Sequence, residues 1–281
     1  MKMEKMRERI TMSENDLRLQ VYMAKCGVGS RRFCESLIEQ GRVMVNNRTI
    51  KEMGVKVGPA DVVQVDGETI EPVDNVYYIA LNKPRGYVCT NYDPNEDKYA
   101  RSLITIRDQH LLFNVGRLDK DSNGLIIFSN DGDFANKVTH PRNQIEKEYV
   151  VHLDRKPQVE DLKKALQGLY IDMSQPYRIK SYEFIPQRRD YIKVVLTEGK
   201  NREIRKIFSF LGYEVKGLTR IRIGCIELGS LQPGEFRNLS RKEIEGLIEG
   251  KNTLVVRKKF GAALKREKAA KAKKNEGRSE K

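Results

Sequence analysis

The decapeptide Gly116-Arg117-Leu118-Asp119-Lys120-Asp121-Ser122-Asn123-Gly124-Leu125 separates two apolar runs, Leu111–Val115 and Leu125–Phe128, and so limits what the middle of this chain can fold into. The runs have the length of strands, and the stretch between them is too polar to continue either one. A strand, a loop and a second strand follow. Such a loop is either a solvated hairpin connection or a platform for side chains that meet a ligand, because the flanking ladder fixes the backbone while polar atoms stay free. Arg117 and Asp119 stand two positions apart on it, so the choice depends on the rest of the chain.

The same reading of periodicity divides the 281 residues into two bodies. Leu17, Val21 and Ala24 are spaced i, i+4, i+7, and Gly27 closes the pattern as a helix C-terminus does. Ser30 then stands where an N-cap belongs, Phe33, Leu37 and Ile38 form a second apolar stripe, and Gly41 ends it. Val43 and Val45 alternate with polar residues, and Val62–Val65 runs into Asp66-Gly67, a two-residue hairpin signal. Glu71-Pro72-Val73-Asp74-Asn75 reads as a linker. Strands are expected next at Tyr77–Asn82, Leu111–Val115, Leu125–Ser129, Tyr149–Leu153, Tyr182–Ile185, Tyr191–Leu196 and Val215–Arg222. Helices are expected at Asp133–Thr139, Val159–Leu166, Asn201–Leu211 and Arg241–Ile248, the last with a capping box of Ser240 and Glu243. Strands that mostly follow one another, with helices set beside them, indicate an α+β chain with a mixed or antiparallel sheet.

Composition narrows the class. No apolar run approaches the ~20 residues that cross a bilayer, and residues 1–16 lack the apolar core of a secretion signal, so a cytoplasmic protein without a membrane partner is expected. Four cysteines and three histidines are scattered, with no C-x-x-C pair, so no metal is expected. Of the net charge of +14, nine lie in residues 251–281. That Lys/Ala-rich tail has nothing apolar enough to pack and is expected to be disordered; it either attracts polyphosphate or merely solubilises the chain.

In the first body Arg31 and Arg32 occupy the first turn of the second helix, where the macrodipole already disfavours cations. Free amides beside two guanidinium forks make either a phosphate site, which Lys25 and Arg42 could extend, or only a solvated basic face. The segment Gly27-Val28-Gly29-Ser30-Arg31-Arg32 through Gly41-Arg42-Val43-Met44-Val45-Asn46 resembles the S4 RNA-binding domain, although Gln20-Val21 stands where that family usually has a lysine.

In the second body Leu81-Asn82-Lys83-Pro84, the decapeptide, Lys147-Glu148-Tyr149 and Glu198-Gly199-Lys200-Asn201-Arg202-Glu203-Ile204-Arg205 occur in the order and at separations similar to those of the pseudouridine synthases, specifically the RsuA family of ribosomal RNA enzymes. The resemblance covers residues 17–249 and leans toward the large-subunit members. It implies an S4 domain at 17–75 and a catalytic domain at 76–250, with an extension at 1–16 and the basic tail at 251–281. It also implies that one uridine of ribosomal RNA is isomerised to pseudouridine without a cofactor. Asp119 would be the catalytic carboxylate, paired with Arg205, which would lower its pKa. Tyr149 would be catalytic as well, stacking on the uracil and helping to remove the C5 proton late in the reaction, and Ile204 would pack on the other face of the base. Arg117 would fill the gap left by the flipped base, Lys83 would lie at the substrate, and Asp121 would bond to loop amides. The partners implied are a structured rRNA stem-loop and ribosome assembly intermediates, with the enzyme a monomer. A non-catalytic RNA-binding assembly factor with the same fold is the alternative.

Overall fold

The computed structural model describes residues 16–73, 75–90, 95–172 and 175–253. The expectations for the N-terminal extension and the basic tail fall almost wholly outside the described residues.

The first body is built from β1 (Leu17–Arg18), α1 (Leu19–Lys25), α2 (Arg31–Glu39), β2 (Val43–Val45), β3 (Arg48–Ile50), β4 (Lys56–Val57), β5 (Val63–Val65) and β6 (Glu68–Thr69). Ser30 caps α2 as expected, its Oγ accepting the Phe33 amide at 3.2 Å. Both two-residue turns, Asn46-Asn47 and Asp66-Gly67, have positive φ throughout, which twists the strand pairs β2–β3 and β5–β6 correctly. Two apolar stripes differ from the expectation. Leu17 pairs with Val57 in a short ladder, so α1 begins two residues later and buries Leu19 and Met23 instead of Leu17, Val21 and Ala24. Phe33 is 51% exposed, and Cys34, Leu37 and Ile38 form the buried face of α2.

The second body comprises β7 (Tyr78–Lys83), β8 (Phe113–Val115), β9 (Asn123–Ser129), α3 (Gly132–Thr139), β10 (Lys147–Leu153), α4 (Val159–Gln167), β11 (Ser181–Phe184), β12 (Tyr191–Leu196), α5 (Glu203–Phe210), β13 (Val215–Ile223), β14 (Ile226–Glu227), β15 (Phe236–Asn238) and α6 (Arg241–Ile248). The strands form one sheet in the order β11-β12-β10-β13-β9-β7-β15, with β8 beside β9 and β14 beside β13. Only β9 and β13 run parallel among these pairs, so the sheet is mixed.

Both faces of this sheet are covered. On one, Ile79, Ile126, Phe128 and Val151 pack under Leu162 of α4 and Ile204, Ile207 and Phe208 of α5. On the other, Ala80, Leu125 and Ile127 pack under Phe134 and Val138 of α3 and Leu247 of α6. Strand β9 is therefore buried on both sides, which is why Leu125–Phe128 is continuously apolar instead of alternating. Gly124, at φ +105°, marks the start of that strand. A Cβ there would come within 2.3 Å of the Arg220 carbonyl, so the crossing of β9 and β13 requires glycine.

Candidate active site

The decapeptide is the loop of the β8–β9 hairpin, whose register runs from Phe113 opposite Ser129 to Val115 opposite Ile127. Its backbone is clamped from several sides. The Gly86 amide donates to the Lys120 carbonyl at 2.7 Å, the Ser122 amide to the Asp119 carbonyl at 3.1 Å, and Asn114 Nδ2 to the Gly116 carbonyl at 2.7 Å. Arg220 Nη1 reaches the Arg117 carbonyl at 3.3 Å and Arg205 Nη2 the Asp121 carbonyl at 3.3 Å. With its carbonyls held, the loop presents the Asp119 carboxylate, about a third exposed, to a cleft of roughly 700 Å³.

Three elements meet around that cleft. The loop contributes Arg117 and Asp119, β10 contributes Lys147 and Tyr149, and the turn into α5 contributes Arg202 and Ile204. Tyr149 and Ile204 are 8% and 2% exposed, so each offers an apolar surface backed by the core. Arg117 is exposed at the opening. Arg202 holds a left-handed conformation, φ +51°, as the residue before α5. The turn is tied by the Lys200 amide, which donates to Glu203 Oε2 at 2.9 Å, and Glu203 is itself buried, so its carboxyl titrates above the usual range.

The ion pairs differ from the expectation. Arg205 Nη2 lies 3.0 Å from Asp121 Oδ2, and its Nη1 donates to the Val215 carbonyl at 3.0 Å. Asp119 is met by Arg202, at 3.8 Å, and the same guanidinium reaches Asp121 at 3.4 Å. Thus, among the described residues, the Asp121 carboxylate pairs with two arginines instead of loop amides. One turn of α5 explains the exchange, because Arg202 faces the open loop while Arg205 is drawn inward against β13.

Lys83 also departs from its expected place. It is fully buried, and its ammonium donates to the carbonyls of Pro84 at 3.0 Å and Tyr87 at 2.7 Å. Burial pushes its pKa down. It braces the turn after β7 and does not line the cleft. In the first body Lys25, Arg31 and Arg32 are exposed, whereas Arg42 is engaged with Asp66 in a bidentate pair at 2.7 and 2.5 Å. The Arg31 guanidinium lies against Gly132 at the start of α3, where an added Cβ would stand 2.9 Å from its Nη2.

Among the cleft residues that escaped the sequence reading are three cations, Arg202, Lys147 and Arg220. Lys147 opens the quoted K-E-Y segment and projects to the same side of β10 as Tyr149, so period-two alternation was enough to find it. Arg202 and Arg220 needed the fold.

Comparison with known proteins agrees with this arrangement. The model of the RNA pseudouridylate synthase family matches residues 77–210, and that of the S4 domain matches residues 17–63. An uncharacterized RNA pseudouridine synthase of Borreliella burgdorferi is 39% identical, covering 82% of this chain and 92% of its own. Ribosomal large subunit pseudouridine synthase B of Bacillus subtilis is 35% identical over 82% of this chain and 95% of its own. Dual-specificity RNA pseudouridine synthase RluF of Escherichia coli K12 is 35% identical over 85% and 80%. A crystal structure of a pseudouridylate synthase superposes with a TM-score of 0.60 at 27% identity, covering 82% of this chain and 99% of that one. Sequence, fold and cleft thus converge, and the chain belongs to the RNA pseudouridine synthase family, its synthase domain preceded by an S4 domain.

Proposed function

We propose that this enzyme isomerises a uridine of large-subunit ribosomal RNA to pseudouridine, with Asp119 as the catalytic carboxylate. The observation that carries the reading is the convergence of Asp119, Tyr149 and Ile204 on one cleft from three separate elements. The name of the Bacillus relative, a ribosomal large subunit pseudouridine synthase, supports ribosomal RNA and the large subunit in particular.

The chemistry follows from the geometry. A uridine stacked in a helix cannot reach a carboxylate recessed in a cleft, so the base must leave the stack. Tyr149 and Ile204 then provide apolar surfaces for its two faces, and Arg117, exposed at the opening, is placed to fill the vacated position in the helix. Asp119 attacks or stabilises the sugar carbon as the glycosidic bond opens, a task that suits a carboxylate. Arg202 lies beside that carboxylate and aims it, while Arg205, held by Asp121, fixes the loop. Lys25, Arg31 and Arg32 of the S4 body take phosphates of a structured stem-loop, in naked rRNA or an assembly intermediate, and the enzyme works in the cytoplasm as a monomer on one RNA.

The test is Asp119→Asn. Pseudouridine formation is expected to fall by at least about a thousandfold, while RNA affinity changes little. Mapping pseudouridines in rRNA from cells with and without the gene then names the site. A variant that still forms pseudouridine would remove Asp119 from the reaction, and rRNA that loses no site would favour a binding factor.

A further inference from the structure

Arg220 and Arg222 are two residues apart on one strand, which in a regular ladder would send both side chains to the same face. They face opposite ways. Glu148 pairs with Arg222 and Tyr149 with Arg220, so one step on β10 spans two on β13, and Ile221 is the extra residue of a bulge. Beyond the bulge Arg222 meets Glu148 at 2.7 Å and Glu146 at 2.9 Å. Arg220 is turned to the cleft floor beside Tyr149, its Cζ 6.0 Å from the ring centroid.

Arg220 and Arg222 are similarly buried, at 4% and 8% exposure, but only Arg222 is neutralised. Arg220 Nε donates to the Leu125 carbonyl at 2.7 Å and Nη1 to the Arg117 carbonyl at 3.3 Å. Nη2 is buried without a hydrogen-bond partner, and no ion pair to Arg220 occurs among the described residues. Lys147 adds a second cation on the same floor, and among the described residues only the Thr197 carbonyl, 3.5 Å away, accepts a hydrogen bond from it. An orphaned charged donor destabilises the fold that buries it, so this arrangement is a liability for an empty cleft. It becomes useful when an anion arrives.

We infer that Arg220 is a substrate-contacting group whose Nη2 takes a carbonyl oxygen of the uracil ring and stabilises the charge the ring carries while it is detached. This rests on the isomerase reading above. In the reaction the C1′–N1 bond breaks and its electron pair passes to N1, from which it spreads over O2 and O4. The ring turns, C5 bonds to C1′, the C5 proton leaves to a base, and N1 regains a proton. Negative charge on the carbonyl oxygens rises as the C1′–N1 bond opens, which is where a preorganised donor accelerates most. The placement favours the base over a backbone phosphate. Arg220 lies at the floor behind Tyr149, whereas Arg117, Lys120 and Arg202 are the exposed cations at the mouth.

The experiment uses the full-length enzyme and a large-subunit rRNA transcript carrying tritium at uridine C5, so that released tritium counts pseudouridine. Release by wild type tests the isomerase reading; release from a small-subunit transcript alone would correct the subunit, and the variants would then be compared on that RNA. Arg220→Ala is expected to lower the single-turnover rate at saturating enzyme by about 100-fold or more, with RNA affinity within about threefold of wild type. Added guanidinium ion is expected to restore at least about tenfold of the loss, which a purely structural role would not allow. Arg220→Lys, which keeps the charge but not the fork, is expected to be slow and to bind RNA normally, and it decides the matter if the alanine variant does not fold. A rate like that of wild type, a deficit explained wholly by weaker binding, or a loss that guanidinium does not relieve would each overturn the assignment.

Discussion

Asp119 and Asp121 show how much a two-residue offset leaves unspecified. The sequence marks both as loop carboxylates, and the assignment of Asp119 to the cleft follows from its motif. What it cannot state is which arginine each one meets, because Arg202 and Arg205 are separated by most of a helical turn and only the packing of α5 decides which faces the loop. Lys147 was legible as a motif residue but not as a strained cation. Burial, reinforced by Arg220 and opposed by Glu203, brings its ammonium down to about 8. Between there and the ordinary lysine value the folded chain binds fewer protons than the unfolded one, so this residue's contribution to stability improves as pH rises through that window and is poorest below about 8. Lys147→Met should therefore be more resistant to urea than wild type at pH 7, by about 1–2 kcal/mol. The advantage should shrink as the pH is raised toward 10.5. Urea melts of both proteins across that range check it, and a difference that does not vary with pH would mean that the lysine is solvated in the fold.

At the scale of elements, periodicity located the four helices and seven main strands of the second body within a few residues, because each carries a buried face that repeats along the chain. It missed β14 and β15. Phe236–Asn238 is three residues long with no alternation to read, and it is a strand only because β7 offers it an edge. Nor does any local pattern show that β13 lies between β10 and β9, or that Ile221 bulges, although these two facts bring Arg220 to the cleft. Gly124 is the signal that was present and undervalued: its small size records the passage of a neighbouring backbone. Gly124→Ala should lower stability by about 3 kcal/mol in urea unfolding and abolish turnover, since both the left-handed φ and the contact with Arg220 forbid a side chain. A variant as stable as wild type would show that β13 can move aside.

For the whole molecule, the first body offers Arg31, Arg32 and the exposed ring of Phe33 on one helix end, while Arg42 is already matched by Asp66. The basic pair was visible in the sequence; its nearness to α3 was not, being a contact between segments 100 residues apart. Replacing Arg31 and Arg32 together by Glu should weaken RNA binding at low salt and flatten its salt dependence by about one to two units of slope, with the modified uridine unchanged. Filter binding over a salt series and pseudouridine mapping give the two readings, and a changed target site would mean that these arginines select the uridine instead of gripping phosphates.

The parallel seam between β9 and β13, with β15 closing the far edge on β7, also sets the order in which the enzyme can be made. The loop that carries Asp119 is synthesised before residue 125, but its clamps from Arg205 and Arg220 and the floor beneath it come from residues translated much later. A nascent chain therefore carries Asp119 on an unsupported hairpin until residue 220 has been added. The clamps close on the loop only after residue 220 has been added, so a chain shorter than that has no completed cleft with which to act on RNA.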